Sequence, residues 1–312
     1  MKKYFFIFIL IICLAVFLAA CYAGSVSLSW QDVKDFGSWF WSIRFPRVCL
    51  GFLVGAGLAC AGVVIQSLTA NPLAEPYTLG LSGGAALGAS LGMVAALDPT
   101  IVSLLAFVGA CVALVIILFT ADMFSNNSIV LCGVMLSFIF SSFVMLIFAF
   151  AQKETVQSSV LWLMGDMSRG NMKYVILTVI SVCVGFLFLW FFSKDINALS
   201  LGEEKANYLG VNVFFKKKLF FSITALIAGV CVASCGLVGF VGLMIPHVVR
   251  IFLGHDHKFL LPGCFLGGGA FLLFCDTCAR TIFKPMELPV GVITGIIGGM
   301  FFLVLFVRSA KN

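Results

Sequence analysis

Apolar runs of about twenty residues, parted by short polar breaks, fill nearly the whole of this chain. A run of that length crosses a bilayer as a helix. Ten candidates stand between the breaks: 4–23, 46–68, 77–97, 100–121, 129–150, 173–192, 219–236, 237–253, 259–280 and 289–307. Only 10% of the 312 residues are charged and 62% are hydrophobic, where a soluble domain carries about a quarter charged. The expected fold class is therefore an all-α integral membrane protein, with residues 1–312 forming a single transmembrane domain. Barrel strands would be shorter and would alternate in polarity. The seventh and eighth spans are separated only by the slender break at Gly236 and Gly239.

An even number of spans puts both termini on one side. With the N-terminus cytoplasmic, the inner set is Lys2, Lys3, Lys194, Lys205, Lys216, Lys217, Lys218, Arg250, Lys258, Arg308 and Lys311. The outer set is Lys34, Arg44, Arg47, Lys153, Arg169, Lys173, Arg280 and Lys284. Eleven against eight is a weak positive-inside bias. Three of the outer eight, Arg44, Arg47 and Arg280, lie close to span ends. Either the topology is wrong or those arginines have a task. The net charge of +6 is spread over the loops and gives no sign of a nucleic-acid partner.

Most of the twelve cysteines, such as Cys13, Cys60 and Cys231, sit inside apolar runs, where cysteine acts as a small apolar filler. The Cys275–Cys278 pair around Asp276 has no matching second pair, so packing is preferred to a metal or redox site. Leu18-Ala19-Ala20-Cys21 resembles a lipoprotein cleavage box, but the 19-residue run from Tyr4 to Tyr22 exceeds a usual signal core. A retained first helix is expected. Gly80, Gly84, Gly88 and Gly92 recur every fourth residue, as do Gly291, Gly295 and Gly299. This spacing lets helix backbones approach closely in lipid.

One polar island breaks the pattern, "SLGEEKANYLGVNVFFKKK", Ser200 to Lys218, within a loop of about 194–218. Ser200 and Glu203 have the spacing of a capping box. Glu203 and Glu204 fall where the helix dipole favours negative charge, and Gly210 suits a C-terminal cap. A helix of about nine residues is expected, too short to span. The lysines that follow make an ordinary loop with positive-inside anchors one reading, and a docking helix for a cytoplasmic partner the other.

"RFPRVCLGFLVGAGLACAGVVIQSLTANPLAEPYTLGLSGGAALGA", "GLVGFVGLMIPHVVRIFLGHDHKFLLPG" and "DTCARTIFKPMELPVGVITGIIGGMFFLVL" together resemble permease subunits of ATP-driven importers of iron-siderophores, haem and cobalamin, the FecCD/BtuC-type family. The resemblance runs along nearly the whole chain. It implies a BtuC-like bundle with short cytoplasmic coupling helices in a bacterial plasma membrane, and no cofactor or resident metal. It also implies three kinds of partner: ABC ATPase subunits, an external substrate-binding protein, and a second permease copy or paralogue. Gly202, Glu203, Glu204, Ala206, Leu209 and Gly210 would be moved by the ATPase. Arg44, Arg47 and Arg280 would pair with the binding protein, a use suited to arginine's fixed charge and bidentate fork. Lipid anchoring of these arginines, and an intrahelical pair of Arg280 with Asp276, stand beside that reading.

"NPLAEP", Asn71 to Pro76, ends the second span with two prolines that oppose continuous helix. By the resemblance, Asn71 and Leu73 would lie at the cytoplasmic gate, with Asn126 and Asn127 of "FSNNS" nearby. No G-x-x-x-x-G-K-[ST] cradle occurs, so ATP would be hydrolysed by a separate chain and this one would do no covalent chemistry. Two other classes compete. A secondary transporter would use Asp276 as a proton relay, although pairing of that carboxylate with Arg280 is the preferred reading. An intramembrane serine protease would use Ser82 with His247, the histidine placed within the spans. His255, Asp256 and His257 are read as a solvated loop in preference to a metal site.

Overall fold

Helix α2 (Phe45–Thr69) is the axis around which the others assemble, with 89% of its apolar stretch buried. A computed structural model describes residues 2–24, 40–121, 126–168, 170–284 and 286–309. These contain thirteen α-helices. A π turn (Phe40–Arg44) leads into α2, and a 3₁₀ turn (Pro76–Leu79) leads into α3 (Leu81–Val94). Around them run α1 (Lys2–Tyr22), α4 (Pro99–Ala121), α5 (Asn126–Phe150), α6 (Lys153–Leu163) and α7 (Met172–Phe191). The polar island folds as α8 (Ser193–Ser200) and α9 (Glu203–Tyr208). The chain ends with α10 (Val213–Cys235), α11 (Val241–Leu253), α12 (His257–Thr281) and α13 (Val290–Ser309).

Eight of these helices are long and apolar enough to cross a membrane. The other two expected spans are the half-length helices α3 and α11, of 14 and 13 residues, each about 20 Å long. Helix α6 forms within the polar connection between the fifth and sixth expected spans.

Small residues explain how closely α2 is enclosed. A Cβ on Gly55 would strike the carbonyl of Gly268 in α12, and one on Gly62 would strike Gly242 in α11. The expected glycine face of α3 is present: Gly84 and Gly88 lie against the backbone of Gly109 and Leu105 in α4. Gly80 is not part of that face. It caps α3 at a φ of 79°, a conformation that side chains disfavour. On α13, Gly291 meets the carbonyls of Met164 and Leu237, whereas Gly295 and Gly299 face open space.

The two half-helices begin where unwound segments meet inside the bundle. After α2, Ala70 turns the chain back at a φ of 49°. The returning segment, up to Gly80, packs against Gly133, about 10 Å along α5 from its start. The break between α10 and α11 lies beside it, with Phe240 at a φ of 69°. Backbone groups freed at such depth need partners from the protein. The Val238 amide donates to Tyr77 Oη at 3.2 Å, and Gln66 Nε2 donates to the Gly242 carbonyl at 3.3 Å. Both of these bonds serve the α10–α11 side; in the segment after α2 the Glu75 amide donates to Thr78 Oγ1 at 3.2 Å.

Candidate coupling, gate and docking surfaces

At one end of the bundle, α8 and α9 form a short helical pair followed by the lysines that open α10. The capping box expected for Ser200 and Glu203 is absent. Ser200 belongs to α8 and donates to its own turn, at Asn197 O (2.7 Å), while Gly202 at a φ of 104° is the N-cap of α9. Glycine wins because its backbone can take the angle that redirects the chain between two helices. The helix is six residues long rather than nine. Gly210 ends it at a φ of 82°, with its amide donating to Asn207 O at 2.9 Å, the expected role. Glu203 binds Lys217 Nζ at 2.7 Å, and Lys216 Nζ binds Asp195 at 2.8 Å and lies over the Phe192 ring.

Those pairs fix the island against α10 and turn its far side outward. Ala206 is fully buried, whereas Tyr208 and Leu209 are 84% and 63% exposed. Large apolar side chains displayed beyond the spans have the character of a partner surface.

The polar group that secures this end is His257, expected in a solvated loop but only 2% exposed. Its Nδ1 is 2.6 Å from Asn197 Oδ1 in α8, and its Nε2 is 2.7 Å from Ser67 Oγ in α2. Asp256 caps α12 by accepting from Lys258 N at 3.0 Å and from Asn197 Nδ2 at 2.9 Å. Hydrogen bonds to the carboxylate, from Asn197 first, hold Asp256 below the usual range. Sequence reasoning missed this hub. The signal was Gln66-Ser67, two polar residues inside an apolar run, where polarity needs a buried partner. Gln66 finds a second one, accepting from Arg250 Nη2 at 3.0 Å.

The residues assigned to the gate sit in the turn after α2. Asn71 Oδ1 accepts from the Leu73 amide at 2.9 Å, and Leu73 is 59% exposed. Asn126 and Asn127 begin α5; their side chains lie outside the described residues.

At the opposite end, Arg47 and Arg280 are buried around a fully buried Asp276. Arg47 donates to Asp276 Oδ1 and, at 2.7 Å, to Glu287 Oε2. Arg280 Nε lies 3.0 Å from Asp276 Oδ2, an ionic contact outside hydrogen-bond geometry. The preferred Asp276–Arg280 pair is therefore present, and Arg47 joins it. Two guanidiniums and two carboxylates leave no net charge in this cluster. Arg280 also donates to Ala20 O and Ala23 O, and Arg44 to Tyr22 O. These are carbonyls that the end of α1 would otherwise leave unpaired. Arg44 is the least buried of the three arginines.

The competing sites do not assemble. His247 packs edge-on against Phe301 and Phe302, and no hydrogen bond joins it to Ser82 among the described residues. Nor do the described residues gather three or more His, Cys, Asp or Glu side chains as a metal site. All twelve cysteines are unpaired, and each is partly or wholly buried.

Comparison with known proteins gives the same architecture. The chain is 35% identical to the hemin transport system permease protein HmuU of Yersinia pestis, covering 98% of this chain and 96% of that one. It is 38% identical to an iron chelatin transport system permease protein of Helicobacter pylori, over 86% of this chain and 82% of the relative. A solved structure described as an inward-facing metal-chelate type ABC transporter superposes with a TM-score of 0.90 at 28% identity, covering 99% of this chain and all of the other. The model of the FecCD transport family matches residues 9–308, and the chain belongs to that family.

Proposed function

We propose that this chain is the membrane-crossing permease of a binding-protein-dependent importer, and that its cargo is an iron chelate of the siderophore type. The observation that carries this reading is the family match over residues 9–308. The hemin and iron chelatin relatives support an iron-bearing cargo; haem itself and cobalamin are the other cargoes the resemblance implies. ATP is hydrolysed by a separate subunit, and a second permease copy or paralogue completes the pathway in a bacterial inner membrane.

In this reading the Glu203 end faces the cytoplasm with both termini. Gly202, Glu203, Glu204, Ala206, Leu209 and Gly210 form the element that the ATPase moves. Leu209 and Tyr208 supply the apolar contact, and Ala206 seats α9 on the bundle. The hydrogen bonds of Asn197 and His257 give the motion a path from α8 to α2 and α12. Asn71 and Leu73, with Asn126 and Asn127, form the inner gate.

The opposite end receives the binding protein. In this reading Arg44, the least buried of the three arginines, pairs with a carboxylate of the binding protein, while Arg47 and Arg280 support the docking face from within through Asp276. Uptake of a labelled ferric siderophore into proteoliposomes tests the reading, with permease, ATPase and binding protein reconstituted together. Uptake should require ATP and survive collapse of ion gradients. Uptake without ATP, abolished by a protonophore, would make the chain a secondary transporter. Arg44→Glu should weaken binding-protein capture most at low salt, where exposed charges are least screened.

A further inference from the structure

Two adjoining cavities lie where α4, α7 and α10 diverge toward the Arg47 end. The inner one, about 370 Å³, is walled by Leu104 and Phe107 of α4, Leu177 of α7 and Val230 of α10. The second, also about 370 Å³, brings in Asp98, Trp162 and Asn171. They share Thr100, Ser103, Tyr174, Ala233 and Ser234, so an apolar chamber runs on into a polar mouth. Each volume is within the roughly 300–1,000 Å³ of small-molecule pockets. Ile101, Leu104 and Leu177 on the rim are 44%, 59% and 52% exposed. All three belong to helices long and apolar enough to span a membrane, where such an opening would meet lipid.

The polar groups are graded along the cleft. At the boundary between chambers, Ser103 Oγ and Tyr174 Oη pair at 3.1 Å, and Ser234 Oγ pairs with Thr178 at 3.1 Å. At the mouth, Asp98 is fixed by accepting from the Thr100 amide at 2.8 Å, which caps α4. Its carboxylate is held below the usual range by those Thr100 hydrogen bonds, with the positive charge of Lys173 contributing. Lys173 is exposed in the first turn of α7, between Asn171 and Tyr174, both of which line the mouth.

We propose that this cleft is a binding site for an aminophospholipid, with one acyl chain in the apolar chamber and the head between Asp98 and Lys173. The phosphate faces Lys173, and the primary ammonium donates hydrogen bonds to Asp98. The Ser103 and Tyr174 hydroxyls lie at the level of the ester carbonyls. A phosphatidylglycerol head would satisfy Lys173 but offer Asp98 only neutral hydroxyls, with no cation to meet the carboxylate. A choline head has no N–H to donate. The site is independent of the transported cargo.

Native mass spectrometry of the full chain with its co-purifying partners tests this, after exchange into equimolar phosphatidylethanolamine, phosphatidylglycerol and phosphatidylcholine. One phosphatidylethanolamine should be retained in about fivefold preference, the scale of a single charge contact at a membrane surface. Asp98→Asn keeps a competent helix cap and removes the charge, so it should abolish the preference while leaving the fold. Leu104→Trp, introduced at the exposed rim, should fill the chamber and lose the lipid. Equal retention of the three lipids by the unaltered protein would overturn the proposal. So would full retention by Leu104→Trp, or the absence of lipid because a partner chain covers the cleft.

Discussion

Arg47 and Asp276, 229 residues apart in sequence, share two hydrogen bonds, from Nε at 3.2 Å and Nη2 at 2.9 Å to the same carboxylate oxygen. This pair ties the start of α2 to the end of α12. Through Arg280 it extends to the carbonyls that end α1. Asp276→Ala would leave two buried guanidiniums around a missing carboxylate. Removing one partner of a buried pair costs about 3–5 kcal/mol. Thermal unfolding in detergent should show a loss on that scale, and a melt unchanged from the parent would show that the cluster is not structural.

Glycine substitutions should separate tight packing from open surface. Gly84→Ala places a methyl against the Gly109 carbonyl, and overpacking of this kind costs about 1–3 kcal/mol. Gly295→Ala meets nothing within 4 Å and should leave the melt of the single chain unaltered. Equal losses for the two would mean that the α3–α4 contact is looser than described.

Asp256 gives a pH-dependent test. Its folded carboxylate lies below its ordinary value because Asn197 and the Lys258 amide bind the charged form. A depressed carboxylate contributes stability that is present above the unfolded value and lost as pH falls through the folded one. Asp256→Ala should therefore cost about 1 kcal/mol at pH 7, as loss of a helix cap does. The difference from the parent should shrink as pH falls below the ordinary carboxylate range. A gap that stayed constant with pH would assign the loss to packing rather than to charge.

Much of this architecture is legible in the chain because lipid leaves few choices. Runs of about twenty apolar residues must be helices, and the Gly84-Gly88 spacing marks a face where backbones meet. The hidden parts depend on residues distant in sequence. Ser67 and His257 are 190 residues apart, and Asn197 and His257 are 60 apart, so a histidine beside charged residues reads as loop until its partners are placed. The start of α11 depends on Tyr77 and Gln66, which reach the backbone of Val238 and Gly242 from 161 and 176 residues away. Ser200 misleads for a local reason. The capping spacing is present, but α8 consumes the serine before α9 begins. At the opposite end, Arg47 and Arg280 stand out as outer charges against the positive-inside trend, and only the fold shows that Asp276 engages both.

The role proposed for α9 is to carry motion from a separate ATPase into the bundle. The direct measurement is ATP hydrolysis and coupled uptake by the complex purified in mild detergent through a tag on this chain. Parent protein should be compared with Glu203→Lys/Glu204→Lys and with Leu209→Glu, since the first variant also breaks the Glu203–Lys217 bridge and the second leaves it. The expected result is a co-purifying ATPase in the parent and a loss of coupled uptake of about tenfold or more in both variants, about 1.4 kcal/mol of coupling, with the bundle still folded. An intact, transport-competent chain that purifies with no ATPase, or full coupling in both variants, would show that α9 does not couple the bundle to an ATPase.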